Sequence, residues 1–266
     1  MKTDAILVGA VAYDPKAVTI WEGIREHFLD QKVAMDFVLF SNYERQVQAL
    51  LEGHIDVAWN TPLAHVRIRR LTENRSISLG MRDSDRDFRS RIIARKGALT
   101  SIRQLEGRTL AVGSRDSTQA RILPLHFLAE AGVDLEKVEL LAFDTDVGKH
   151  GDTGTSEIEV LKAVHAGQAD AGAVGDLIWV MEQAAGHVDN AKVESLWTTP
   201  PFDHCMFDAK PTTSKEKCDA FRKALMAMRW ENPKHRRVLE LEGLKQWMEP
   251  REAGYASLRA ALDALE

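Results

Sequence analysis

Three classes of protein are disfavoured by what this chain has little of. Only two of its 266 residues are cysteine, Cys205 and Cys218. Two thiols are too few for a disulfide framework, and spacing alone leaves their pairing open. No apolar run is long enough to cross a bilayer as a helix. The formal net charge is −5, whereas a nucleic-acid binder carries a basic footprint. The amino-terminal MKTDAILVGAVAYD enters a strand-like run directly, with no h-region and no small-residue cleavage site, and so reads as lacking a signal peptide. Catalytic signatures are missing too: there is no GxSxG, HExxH, GxGxxG or P-loop GKS/GKT. That lowers the case for an enzyme without excluding one.

What is present is an α/β pattern with an internal repeat. Hydrophobic content of 44% and charged content of 28% are those of a globular chain, long enough for one large domain or two lobes. Gln46–Asn60 and Leu161–Gly175 follow one plan. Each is the end of an amphipathic helix, a glycine (Gly53, Gly167), two residues, an aspartate (Asp56, Asp170) and a short apolar strand. A glycine just past a helix closes it in the left-handed conformation, and an aspartate opening a strand ties down turn backbone. One such unit in each half predicts two lobes of the same design, with ligand held where the lobes face each other.

Strand and helix patterns alternate over residues 5–71, which predicts a mostly parallel sheet covered by helices. A second series starts near residue 91 and runs to about 199. RDSDRDFRS, between the two, reads as a solvated crossing. Helical patterns cover 214–230, 234–242 and 250–265. The expected architecture is a first lobe of residues 1–88 plus 203–266 and an inserted second lobe of 89–202. Two strands near residues 88 and 202 form the predicted hinge.

Ligands of open parallel sheets gather beyond the carboxyl ends of strands, at helix starts. Those ends carry Tyr13, Tyr43, Asn60 and Thr61 in the first lobe. In the second lobe they carry Ser117, Thr118 and Gln119, and the loop holding His150 and Asp152. Within the crossing, Phe88 and Arg86 are candidates to face the cleft, and Trp59 sits at a strand end. Ser117 and Thr118 set two hydroxyls beside the N–H groups of a helix start, an arrangement that accepts an anion. Simple N-capping accounts for the same residues. His150, His204 and Cys205 match no metal-ligand spacing, so no metal and no cofactor is expected. Asp203 and Glu157 are acid–base candidates without an accompanying nucleophile.

The segments GAVAYDP, SNYERQVQALLEGHIDVAWNTPLA, QLEGRTLAVGSRDSTQARILP and AVHAGQADAGAV resemble the phosphate/phosphite/phosphonate group of periplasmic solute-binding proteins of ABC transporters. The resemblance implies a type II two-lobed fold, capture of a small oxyanion by hinge closure, and a membrane permease as partner, with no membrane insertion and no nucleic acid. It places Tyr43 in the cleft, Ser117–Thr118–Gln119 on a Ser-Thr-Ser oxyanion grip, Phe88 on an aromatic crossing position that is usually Tyr, and His150 on a loop histidine. Gln119 and Phe88 depart from that pattern, so another oxyanion or a small organic acid stays open as ligand. The resemblance implies an extracytoplasmic location if a leader has been removed, and a cytoplasmic one otherwise. Two alternatives remain: a cytosolic enzyme on this fold with His150, Asp152 or Asp203 as acid–base groups, and a sensor-associated binding module.

Overall fold

A computed structural model describes residues 5–265. The chain forms two compact units. The first takes residues up to Arg86 plus Asp203–Gly254, and the second takes Asp87–Phe202 plus the chain from Tyr255 onward. The chain therefore passes between units three times. The sequence pattern predicts residues 203–266 in the first lobe. Instead, Tyr255 and the helix that follows it join the second unit, where that helix packs on the helix spanning residues 123–130.

In chain order the first unit begins with β1 (Ile6–Val11), α1 (Lys16–Asp30), β2 (Met35–Phe40), α2 (Tyr43–Glu52), β3 (Val57–Asn60), α3 (Pro62–Leu71) and β4 (Ile77–Arg82). The second unit follows with β5 (Ser90–Arg95), β6 (Thr109–Val112), α4 (Leu123–Glu130), β7 (Glu139–Ala142), α5 (Thr155–His165), β8 (Ala171–Gly175), α6 (Asp176–Ala184) and β9 (Val193–Thr198). The chain then returns to the first unit with β10 (Met206–Ala209), α7 (Lys215–Met226), α8 (Pro233–Glu242) and β11 (Trp247–Met248), and ends with α9 (Ala256–Asp263) in the second.

Both sheets are mixed. The first runs β11-β4-β10-β3-β1-β2, and the second β7-β6-β8-β5-β9. In each, three strands are parallel: β2-β1-β3 and β7-β6-β8. In each, a strand laid beside that trio runs antiparallel, β10 on β3 and β5 on β8. The parallel trio was legible from the strand–helix alternation. The antiparallel strand was not, because it arrives from a distant part of the chain.

The repeated Gly-x-x-Asp unit has a physical explanation in the structure. Asp56 donates its N–H to Leu7 O at 2.8 Å and accepts Leu7 N–H on its carboxylate at 3.0 Å. Asp170 does the same with Thr109, at 2.9 and 3.1 Å. Each aspartate thus clamps its strand in register beside the parallel strand next to it. Gly53 and Gly167 take positive φ values of 82° and 73°, which closes the preceding helix.

The cores are separate and apolar. Trp21, Phe28, Trp59, Phe207, Phe221 and Trp247 dominate that of the first unit. Trp59, singled out as a strand-end residue, is a core ring 4.4 Å from Phe207, with the Arg82 guanidinium 5.3 Å from its own centroid. Cys205 and Cys218 are both buried, and no disulfide joins them. RDSDRDFRS is not simply solvated. Asp85 is buried, and Arg82 holds both its oxygens at 2.7 and 2.8 Å. Burial alone would raise the Asp85 carboxyl, but the Arg82 charge and hydrogen bonds hold it at about 2.

Candidate functional site

The best-formed candidate lies in the second unit, where β6 and β8 end side by side. After β6 the chain turns through Gly113–Ser117 into a π-helical turn, Thr118–Ile122, which continues into α4. Ser117 caps this start, its Oγ accepting Ala120 N–H at 3.1 Å. The first turn of any helix leaves N–H groups without intrahelical partners. Three buried side-chain atoms here have no hydrogen-bond partner among the described residues: Thr118 Oγ1, Gln119 Oε1 and Ser156 Oγ. Thr118 and Ser156 are 0% exposed and Gln119 5%. Leaving such groups unsatisfied costs about 1–3 kcal/mol each, a cost that a polar ligand beside this helix start would relieve.

The loop before α5 closes one side of this point. Asp146 accepts from Ser114 Oγ, from Thr153 Oγ1 at 2.6 Å and from Ser156 N at 3.4 Å. Asp116 Oδ2 accepts Gly148 N–H at 2.5 Å, and Asp144 accepts Arg115 N–H at 2.7 Å. These carboxylates bind the loop to the turn after β6. Gly151 (φ 84°) is pressed on the turn so closely that a Cβ would collide with Ser117 Oγ, and its backbone conformation favours glycine. His150, beside it, is 1% exposed with φ 53°, its Nε2 4.0 Å from Asp116 Oδ2. Asp152 is half-buried on the same loop. The Lys149 ammonium is held below its usual pKa by burial.

The end of β8 supplies the other side. A Cβ on Gly175 would lie 3.1 Å from Gln119 Cγ, 3.2 Å from Phe88 Cε1 and 3.3 Å from Glu157 Oε1. Phe88 pairs with Phe202 through an isolated antiparallel bridge, their rings 5.5 Å apart. Of the second-unit residues picked from sequence, Ser117, Thr118, Gln119, His150 and Phe88 are thus brought together. Ser156, Glu157 and Asp116 were not proposed as ligand contacts. The signal available for Ser156 was a hydroxyl at a helix start, which reads equally well as a cap. A separate cavity of about 670 Å³, lined by Ile158, Leu161, Lys162, His165 and His187 among others, contains none of these residues.

The first-unit candidates form a different kind of cluster. Asn60 is fully buried and engaged, accepting from Gln46 at 2.9 Å and donating to Asp208 at 2.9 Å. His65, also fully buried, bonds both Asp208 oxygens at 3.0 Å. Burial would lower the His65 pKa, but the Asp208 charge and hydrogen bond, with Glu252 behind them, raise it to about 9. Thr61 caps α3 through Ala64 N–H at 3.3 Å. Tyr43 is buried in an apolar cluster with Val11, Val47 and Leu50. Tyr13 is half-buried, with Lys16 Nζ 5.7 Å from its ring. Asp203, an acid–base candidate, is buried and bound by Arg251, its Oδ2 accepting from Nε at 2.7 Å. Asp85, His204 and Cys205 lie together, but the Arg82 guanidinium already supplies the counter-charge on Asp85.

Comparison with known proteins decides the family. The family of ABC-transporter periplasmic phosphonate substrate-binding proteins matches residues 13–255. The chain belongs to this family. It is therefore a transporter substrate-binding protein and not an enzyme. A probable ABC transporter phosphite binding protein, PhnD1 of Prochlorococcus marinus (strain MIT 9301), is 22% identical over 237 residues, covering 85% of this chain and 77% of that one. The structure of PhnD1 in complex with methylphosphonate superposes with a TM-score of 0.76 at 21% identity over 98% of both chains. XAC2383 of Xanthomonas citri bound to ATP gives 0.75 at 16% identity, over 99% of this chain and 100% of that one. The fold of this substrate-binding protein is accordingly the type II periplasmic-binding fold. Among the described residues, no helix is long and apolar enough to cross a membrane.

Proposed function

We propose that this chain is the extracytoplasmic receptor of an ABC-type importer for a small phosphorus oxyanion of the phosphonate or phosphite class. The observation that carries the reading is the pair of buried, unpartnered hydroxyls, Thr118 Oγ1 and Ser156 Oγ, beside the helix starts that follow β6 and precede β8. Hydroxyl and backbone N–H groups at a helix start are suited to phosphoryl oxygens, which accept several hydrogen bonds at once. Ser117 and Thr118 grip the anion, Gln119 and His150 flank it, Asp152 lies on the same loop, and Phe88 gives the site an apolar wall. Capture by closure of the two units over ligand, and delivery to a permease, belong to the same proposal and rest on family membership. Only contacts stronger in the closed state can drive such a closure.

Thermal unfolding against methylphosphonate, phosphite, phosphate, sulfate, alkylsulfonates, small carboxylates and ATP tests this reading. A ligand at about 100 times its Kd stabilises the fold by about 2.7 kcal/mol. A raised midpoint with methylphosphonate or phosphite, and a smaller radius of gyration by small-angle scattering, is the expected outcome. A response only to carboxylates or ATP would overturn the ligand class.

A further inference from the structure

Glu157 is the buried titratable group of this site that the grip described above leaves unused. It stands in the first turn of α5, 1% exposed, immediately after Ser156. Its Oε1 accepts Gly175 N–H at 3.2 Å, and Gln119 also hydrogen-bonds the carboxyl. The contacts around Gly175 place Oε1 at the same point as Gln119 Cγ and the Phe88 ring. The carboxyl therefore stands among groups assigned to the ligand.

The charges around it are mostly negative. Asp146 and Asp152 act on it from the loop before α5. The same loop carries Lys149 and His150, and Asp116 lies on the turn after β6. Asp176, at the start of α6, is neutralised by Arg91. An oxyanion entering such a group is repelled unless one carboxyl carries a proton.

We propose that Glu157 meets the bound oxyanion as a neutral carboxylic acid, donating its O–H to a ligand oxygen and so making affinity depend on that proton. This inference rests on the oxyanion reading above. The proton is held because burial, reinforced by Asp146 and Asp152, raises the carboxyl to about 8, against the opposing hydrogen bonds from Gly175 and Gln119. Below that pH the group donates. Above it a carboxylate faces the anion, and affinity falls about tenfold per pH unit.

Titration calorimetry with methylphosphonate from pH 7 to 9.5 tests this on the wild type, Glu157→Gln and Lys149→Arg. Glutamine keeps an N–H donor but no titratable proton, and arginine removes any contribution from loss of the Lys149 charge. Wild type and Lys149→Arg are expected to weaken about tenfold per unit above pH 8. Glu157→Gln binds severalfold more weakly at pH 7 and changes less than threefold across the range. A flat wild-type profile, or the same alkaline loss in Glu157→Gln, overturns the role of Glu157 while leaving the receptor reading intact. Absence of methylphosphonate and phosphite binding at pH 7 overturns both. Ligand-free melting is the separate check: Glu157→Gln should lose less stability than wild type between pH 6 and 9, and an equal loss refutes the neutral acid.

Discussion

Replacing Thr118 by valine should make the ligand-free protein more stable and the receptor worse. Thr118 is fully buried, and its Oγ1 has no partner among the described residues. Valine has nearly the same shape and the same β-branching, so the helix start is undisturbed. Removing an unsatisfied buried hydroxyl is expected to return about 1 kcal/mol. In a chain of this size that raises the melting midpoint by roughly 2–4 °C. Binding moves the other way. A hydrogen bond to a charged group contributes about 1.5–3 kcal/mol, so the Kd should rise about 10- to 150-fold. With ligand at about 100 times the wild-type Kd, wild type gains about 2.7 kcal/mol, while the variant gains only about 0.3–1.4 kcal/mol. The two proteins therefore exchange order. The variant melts higher without methylphosphonate and lower with it. Differential scanning calorimetry with and without ligand reads both effects in one series. A variant that melts lower without ligand and binds with unchanged affinity would show that the hydroxyl is structural, and would remove Thr118 from the site.

Ser117→Ala should cost about 1 kcal/mol of stability through the lost cap on Ala120 N–H and should also weaken binding, so its melting curve lies below wild type in both conditions. Asp170→Ala leaves Thr109 N–H without its carboxylate and should lower stability by about 1–3 kcal/mol in urea unfolding, with Asp56→Ala comparable through Leu7; a loss under 0.5 kcal/mol in both would refute the clamp. The buried His65–Asp208 pair gives a pH dependence of defined sign. His65 is raised from 6.5 to about 9, so its contribution, on the order of 3 kcal/mol, is complete below pH 6.5 and is lost as pH climbs through 9. His65→Gln should flatten the alkaline limb of the stability profile, and an unchanged limb would place the titration elsewhere.

The parts legible in the sequence were those with a local cause. Gly53 and Asp56, with Gly167 and Asp170, could be paired because a left-handed glycine and a backbone-binding aspartate leave a fixed spacing. Ser117 and Thr118 could be found because a helix start demands hydroxyls near its free N–H groups. The parts that were hidden depend on long-range pairing. Asp85 looked solvated because a buried charge reads like a surface one until its partner is known, and that partner, Arg82, gave no pattern. The final helix was misassigned because the apolar spacing of Tyr255, Leu258 and Ala261 shows that a face is buried, not against which unit. Asn60 marked a strand end correctly, yet its side chain is consumed by Gln46 and Asp208, which lies 148 residues away.

An acidic chain that binds an anion must do so mainly without net positive charge, and the proposed site offers a way. Two of the aspartates beside it are structural ties: Asp146 and Asp116 hold the loop to the turn. In the proposed site the groups that face the ligand are neutral, namely the Thr118 and Ser156 hydroxyls and the N–H groups of a helix start. Neutral donors attract less strongly than lysine or arginine but discriminate better, because each one left unpaired in a buried site costs as much as a lost hydrogen bond. Such a site is expected to select by the number and direction of oxygens on the ligand rather than by its charge. The same economy explains why Glu157 matters. Where cations are few, one proton on one carboxyl changes the balance of the whole site.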